Sequence, residues 1–363
     1  MNAAEEARRA VFYSGQPNSV GHVYRVENTV SALNACGWAA DWAPLADSAA
    51  QGKIEDADVV GVFRAEWDGN FCEVRRRCSE RGIPLVYDTD DLIFDTDLAA
   101  SCKIGLFDSL GEADRLVWMQ RIESYREALA AADHATVSTE PLARAAGRVC
   151  QSVFVLPNVL GPAMREWAAE AARRAERPKD GVRLIFASGT PTHQRDFQVA
   201  VEAVARVLTK NPHALLTILG ELDLERFPRL TPLRQRIEIR PRVPLRQLFT
   251  ELARADINLC PLEPENPFCE AKSAVRCLAG SAIGLPSVVS PTTPLLAAVD
   301  HGRAGLVAGD PIEWESALDR LVDDSRLRQA TGRKAMEFAR ELSDFSKWSS
   351  QACRIFQKIS GRP

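Results

Sequence analysis

Two clusters of ionisable residues stand at positions where enzymes commonly do chemistry. The first is Glu263, Glu265, Glu270 and Lys272, within the stretch Asp256–Ser290. This stretch reads as a short apolar strand, a proline-broken acidic loop, a helix starting near Ala271 and, after Gly284 and Pro286, a second apolar strand. In an open parallel sheet such a unit sets its loop at the carboxyl end of the strand and aims the helix N-terminus into the ligand crevice. Carboxylates there can orient hydroxyl groups, and a lysine beside a helix N-terminus can balance an anion. The second cluster is Asp88, Asp90, Asp91 and Asp95 in DTDDLIFD, directly after the apolar run Pro84–Tyr87. Acids packed this closely repel one another and require donors, a cation or a protonated member. Three readings stay open: a helix cap by Asp90 or Asp91, a working carboxylate, or a divalent cation site. The His and Glu ligands that usually complete such a cation site are missing nearby.

The elements around these clusters follow from apolar patterning. The runs Ala10–Ser14, Ala57–Phe63, Pro84–Tyr87, Ala135–Ser138 and Val153–Leu156 are continuous rather than alternating, as buried parallel strands are. The first is followed by GQPNSVG and a helical segment ending at Gly37. Gly21 lies where backbone would approach a ligand, and His22 beside it is a cleft candidate. The loop lacks a GxGxxG pattern, and a turn alone would also explain its glycine. The longest helix of this half spans Glu112–Ala132, with Leu116, Met119, Ile122 and Leu129 as an apolar stripe read as core, and His134 as a strand-end residue. After the helical Gly161–Arg177 and the break PKDG, strand–helix alternation resumes at Arg183–Ser188, Leu215–Leu219, Ile237–Ile239 and Ile257–Leu259. Beyond Val307 the chain reads as helical, around Glu313–Val322, Ser325–Leu342 and Phe345–Ile359.

At 363 residues the chain exceeds one ordinary core and suggests two domains. A formal charge of -4 argues against a general nucleic-acid binder, with a local basic surface around Arg75, Arg76 and Arg77 left open. The charged start MNAAEEARRA does not read as a leader, and no apolar run is long enough to cross a bilayer. Nine cysteines without a CxxC pair read mostly as small buried residues in a reducing, cytoplasmic setting.

Phrases from nearly the whole chain, GHVYRVENTVSAL, YDTDDLIFD, ADHATVSTEPLA, VLPNV, SGTPTHQRDF, PLEPENPFCEAKS and GLPSVVSPTTPL, resemble the family-4 retaining glycosyltransferases of the GT-B fold. The likeness is to a bacterial branch with GTPTH and NPF..AKS segments. It implies an α/β fold of two Rossmann-like domains facing across a cleft: an acceptor-side domain over 1–177, a nucleotide-sugar domain over 178–341, and a C-terminal helix over 342–363 crossing back. It further implies an enzyme that moves a sugar from a nucleotide diphosphate-sugar to a hydroxyl of a glycan or lipid-linked acceptor, with retention and without a metal or cofactor. Charged side chains and helix N-termini would carry the leaving diphosphate. UDP, GDP and dTDP are not distinguished.

Carried over residue by residue, the resemblance is uneven. Where the family has an arginine after the glycine of its first second-domain loop, Gly189 is followed by Thr190; where it has a lysine five residues on, this chain has Arg195. Arg195 is thus expected as a diphosphate clamp, with Thr190 and His193 adding hydrogen bonds. Glu270 takes the place of the first of two family glutamates and is expected on the donor sugar, with Lys272 and Ser273 at the diphosphate. Ala279 stands where the second glutamate would hold the ribose, an absence that would remove roughly 2–4 kcal/mol of donor affinity. Asp88 or Asp90 would assist the acceptor hydroxyl. An alternative class is a degenerate member serving as a binding or scaffold partner in a glycan-assembly complex. The arginines of 164–177 read first as the face of an ordinary solvated helix, with peripheral contact with the inner membrane face as the second reading.

Overall fold

The computed structural model describes residues 7–101, 103–175 and 181–361. Its first sheet contains β1 (Arg9–Ser14), β2 (Ala39–Pro44), β3 (Val59–Phe63), β4 (Leu85–Thr89), β5 (His134–Val137) and β6 (Val153–Val155). They lie in the order β2-β1-β3-β4-β5-β6, all pairs parallel. The second sheet contains β7 (Val182–Gly189), β8 (Ala214–Gly220), β9 (Ile237–Arg240), β10 (Ile257–Cys260), β11 (Ser287–Val289) and β12 (Leu306–Val307). Its order is β12-β11-β10-β7-β8-β9, again parallel throughout. This is the expected doubly wound α/β architecture in two units. In each sheet the strand order reverses once, between β1 and β3 and between β7 and β10, and ligand crevices open at such reversals.

The central apolar runs became strands because they are covered on both faces. Val59, Val60 and Val62 of β3 and Leu85, Val86 and Tyr87 of β4 are fully buried. Patterning missed β2 and β12, two edge strands. β2 alternates exposed and buried positions over AADWAP, and β12 has only two residues, so neither has the continuous apolar run of a central strand.

Three packing relations differ from expectation. The helix Pro162–Arg173 buries Met164, Ala168 and Ala171 in one cluster with Phe249, Leu252 and Ala253 of the second half. The chain therefore leaves the first unit soon after β6, at Pro157–Gly161, because the apolar stripe of this helix needs the second unit's surface. Arg177, to which the helical reading extended, lies outside the described residues. In the helix Glu112–Ala130, Ile122 and Leu129 are core, whereas Leu116 and Met119 are 58% and 41% exposed. Only the C-terminal half of that helix reaches the sheet. Lastly, Cys36 and Cys353 form a disulfide with Cα atoms 6.7 Å apart. Separated by 317 residues, they meet because the C-terminal helix docks beside the helix Asn28–Ala35, which no sequence spacing reveals. The six other described cysteines are free, five of them buried.

That C-terminal helix, Phe345–Ser360, crosses back onto the first unit as expected. Phe356 meets Phe12 of β1 edge-on at 5.4 Å, Trp348 Nε1 donates to the Pro157 carbonyl at 2.7 Å, and Gln351 donates to Val155 at 3.1 Å. Among the described residues no helix is long and apolar enough to cross a membrane.

Candidate active site

The break in one helix shapes the centre of the site. Asn266 caps a short helix, Pro267–Ala271, its side chain accepting from the Phe268 amide at 2.9 Å. At Lys272 the backbone turns extended, φ -66 and ψ 139, and the helix resumes only as Val275–Ala282. The anticipated single helix is thus two, with Lys272, Ser273 and Ala274 as a non-helical strip between them. The second helix has no side-chain cap at Ala274, so its first amides remain available to an anion.

This strip forms one wall of a cavity of about 450 Å³ between the two units. The opposite wall brings Gly21 from the loop after β1, Arg64 from the end of β3, and Asp90 and Asp91 from the end of β4. Thr190 and His193 come from the loop after β7. Gly21 sits close to this wall: a Cβ on it would lie 3.1 Å from the Phe63 ring and 3.2 Å from both Asp90 carboxylate oxygens, tight enough that these side chains would have to shift. Gly189, at φ +71, makes the left-handed turn that ends β7 and admits Thr190 to the cavity.

Four cations, Arg64, Arg242, Lys272 and Arg276, line this space against two carboxylates, Asp90 and Asp91. Lys272 Nζ lies 4.6 Å from the Phe268 ring centre and the Arg276 guanidinium 5.1 Å from that of Phe186, so aromatic faces hold both charges in place. Arg64, with a left-handed φ of 44, donates to Asp90 at 2.9 Å through Nε, and its Nη2 lies 3.9 Å from Asp91. Burial would raise the Asp90 pKa, but Arg64 and then Arg25 outweigh it and hold the carboxyl below its ordinary range. Asp90 is therefore an ionised acceptor at neutral pH.

His193 is held by Asp196, Nδ1 to Oδ2, at 2.6 Å. Burial, reinforced by Arg276 and Lys272, lowers the His193 pKa to about 4. Asp196 also accepts from the Glu263 amide at 3.1 Å and lies well below the usual carboxylate range; burial opposes that shift and the hydrogen bond from His193 leads the groups that produce it. A neutral ring beside an ionised carboxylate carries its proton on Nδ1, which leaves Nε2 as a hydrogen-bond acceptor.

Of the expected site residues, Gly21, Asp90, Thr190, His193, Lys272 and Ser273 meet in this cavity, with Gly189 at its edge. Four do not. Asp88 points behind the wall into a buried ion pair with Arg25, which donates to both its oxygens at 2.9 and 2.7 Å, and Thr136 adds a bond at 2.5 Å. β4 ends at Thr89, so Asp88 still belongs to the strand and packs against Arg25, whereas Asp90 lies in the loop beyond and is free of the strand's alternation. His22 lies buried against Trp42, ring centres 4.3 Å apart, with Nδ1 3.0 Å from Ser14 Oγ. It sits one helical step past Gly21 and so faces the sheet. Arg195 turns to the first unit and pairs with Asp108, its Nε donating at 2.5 Å. It is the second residue of the helix Gln194–Lys210. Glu270 Oε1 accepts from the Thr293 amide at 2.9 Å, at the first turn of the helix Thr293–Ala298. The end of its own helix at Ala271 sends Glu270 and Lys272 to different sides.

Ala279, at 1% exposure, packs in an apolar cluster with Leu278, Ile283 and Phe249 rather than on the cavity wall. Arg64, Arg242 and Arg276 were missed by the sequence reading. Each had a signal: Arg276 follows Lys272 at the spacing of one helical turn, Arg64 directly follows the strand ending at Phe63, and Arg242 lies just beyond the strand Ile237–Arg240. Among the described residues no group of three or more His, Cys, Asp or Glu is arranged to hold a metal ion.

The two units are closed over this cavity by direct bonds. Asn158 Nδ2 donates to Ser273 Oγ at 3.0 Å, Thr139 Oγ1 to the Ala271 carbonyl at 2.8 Å, and Asn266 Nδ2 to the Lys103 carbonyl at 2.8 Å. Phe268 and Ala271 are buried in the first unit's core cluster. The Lys272 strip is therefore positioned by both units together.

The chain resembles known proteins in sequence over its second half and in fold over its whole length. Residues 181–324 match the model of the glycosyl transferases group 1. A curated relative, the D-inositol 3-phosphate glycosyltransferase of Corynebacterium jeikeium (strain K411), is 30% identical over 198 residues, 51% of this chain and 45% of that protein. The chain thus spans about half the length of the curated relative it matches. Among solved structures, HepE of Anabaena in complex with UDP superposes with a TM-score of 0.63 at 11% identity, over 96% of this chain and 100% of that one. The sucrose-phosphate synthase of Thermosynechococcus elongatus does so with a TM-score of 0.61 at 14% identity, over 98% and 100%. Residues 181–324 are thus similar to the glycosyl transferases group 1, and the whole chain has the two-unit GT-B fold of these solved structures.

Proposed function

We propose that the protein transfers a sugar from a nucleotide diphosphate-sugar to an acceptor hydroxyl, with retention of the anomeric configuration and without a metal. The carrying observation is the convergence of Lys272, Arg276, Arg242 and the uncapped start of the helix Val275–Ala282 on one interdomain cavity. A leaving diphosphate develops charge at its bridging oxygen, and preorganised cations and amides in a dry cleft lower the cost of that charge. Metal independence fits the same wall, because Asp90, which could otherwise hold a cation there, is already paired with Arg64.

The neutral His193 presents an acceptor nitrogen to a donor hydroxyl. Asp90, ionised and opposite Lys272, is placed to accept a hydrogen bond from the incoming hydroxyl. Its lowered pKa makes it a weak base, so its contribution is orientation and local charge rather than full proton abstraction before the bond to the leaving group loosens. HepE carries UDP in its complex, which makes UDP-sugars the first donors to try here.

A titration with UDP, GDP and dTDP, followed by turnover of the corresponding sugars with product stereochemistry read by NMR, tests the reading. Absence of binding by all three nucleotides overturns it; an inverted product removes retention, and loss of turnover in EDTA removes metal independence. The second reading, a member that binds donor without turnover, draws on Ala279, where no carboxylate stands for the ribose. Any measurable donor hydrolysis or transfer eliminates it.

A further inference from the structure

A second cavity, of about 570 Å³, opens on the far side of the Asn158–Ser273 hydrogen bond. Its walls come from three parts of the chain: Pro157 and Val159 from the interdomain passage, Leu278 and Ala297 from the second unit, and Leu342 and Trp348 from the crossing to the C-terminal helix. These are apolar surfaces, and Leu342 is left 40% exposed there. The volume lies within the range of small-molecule sites. The rim bears charges of both signs, Glu140, Glu341 and Arg354, so no strongly charged ligand is favoured.

The chamber and the candidate active site share a wall. Ser273 and Ala274 line both, and Asn158, which lines the chamber, reaches Asp90 of the active-site cavity at 3.4 Å. A molecule with its apolar part in the chamber would carry its polar end to Asn158, one side chain from the carboxylate that meets the acceptor hydroxyl. We propose that this chamber binds the apolar aglycone of an amphiphilic, uncharged acceptor. The assignment rests on the transferase reading for the acceptor's role, and on the chamber alone for the preference for an apolar tail.

The test titrates the full chain, by ligand-observed NMR, with n-octyl and methyl β-D-glucopyranosides, the former below its micelle-forming concentration. UDP, GDP and dTDP are titrated into the same samples. The octyl compound is expected to bind at least about tenfold more tightly than the methyl one. Ala297→Trp, which fills the chamber from an exposed helix position, and independently Leu342→Gln on the opposite wall, are expected to collapse that ratio while nucleotide affinity stays unchanged. A ratio near one in the unaltered chain overturns the chamber assignment, as does a ratio that survives both substitutions or one abolished instead by Leu116→Ser with Val117→Ser on the exposed helix face. Failure of all three nucleotides to bind overturns the transferase reading separately.

Discussion

Arg25 and Asp88 form a two-point ion pair, Nε to Oδ1 at 2.9 Å and Nη2 to Oδ2 at 2.7 Å, sealed between the first sheet and the interdomain passage. Arg25 also donates to the Leu156 carbonyl and to Asn158 Oδ1. Its side chain has no exposed surface. Behind the cavity wall, this cluster fixes the end of β4, and hence Asp90, against the passage that carries Asn158.

Removing one partner of such a pair strands a buried charge. Asp88→Ala is expected to lower unfolding stability by about 3–5 kcal/mol, read as a reduced midpoint in urea. A full-stability Asp88→Ala protein would refute the structural role and reopen the catalytic one.

Lys272 and Arg276 are expected to carry nucleotide affinity. Each charge-assisted bond to a diphosphate is worth about 1.5–3 kcal/mol, so Lys272→Ala and Arg276→Ala should each weaken binding by roughly 10- to 100-fold by calorimetry. Far-ultraviolet circular dichroism should stay unchanged, because both side chains line the cavity.

Arg195 is expected to behave differently. Its partner Asp108 lies on the first unit, and both side chains are about 30% exposed or less. A double-mutant cycle of Arg195→Ala and Asp108→Ala should give a coupling of up to about 1 kcal/mol in stability. Nucleotide affinity should change far less than in Lys272→Ala. A Lys272-like loss would return Arg195 to the diphosphate.

Ala279 offers a restoration experiment whose outcome the packing reverses. Ala279→Glu would place a carboxylate among Leu278, Ile283 and Phe249. It is expected to destabilise by several kcal/mol and leave nucleotide affinity no better. A tighter-binding, stable Ala279→Glu protein would show that the position can face the ribose after all.

Acid sensitivity follows from His22. Burial lowers its pKa to about 4, against 6.5 in the unfolded chain. The unfolded state therefore takes up a proton that the folded state refuses. Stability is fully present above pH 6.5 and falls as pH drops from 6.5 towards 4, by ~2 kcal/mol for this one group at pH 5. His193 shifts in the same direction. Urea midpoints at pH 7.5 and 5.0 check this, and His22→Gln should shrink the difference.

Much of the fold is legible in the order of residues. Central strands such as VVGVF and LVYDT have one continuous apolar character because both faces are covered, and local composition alone encodes that. β2 escaped because its wet face breaks the apolar run into alternation, and β12 because two residues are too few to show one. The half-core helix Glu112–Ala130 shows the converse, since an apolar stripe states which side would prefer burial but not how far the partner surface extends.

For the site, residue order settles which loops meet the cleft. Gly21, Asp90, Thr190, His193 and Lys272 follow strand ends, and parallel topology gathers strand ends on one edge. Where each side chain points is settled only by the packed molecule. Asp88 and Asp90 are two residues apart, yet one neutralises Arg25 in the interior and the other faces the cavity. Glu270 and Lys272 diverge because a helix stops between them, and Arg64 and Arg242 join the site from loops distant in sequence. Side-chain direction depends on the turn geometry and on charges brought close only when the units dock, and neither is a property of any local stretch of residues.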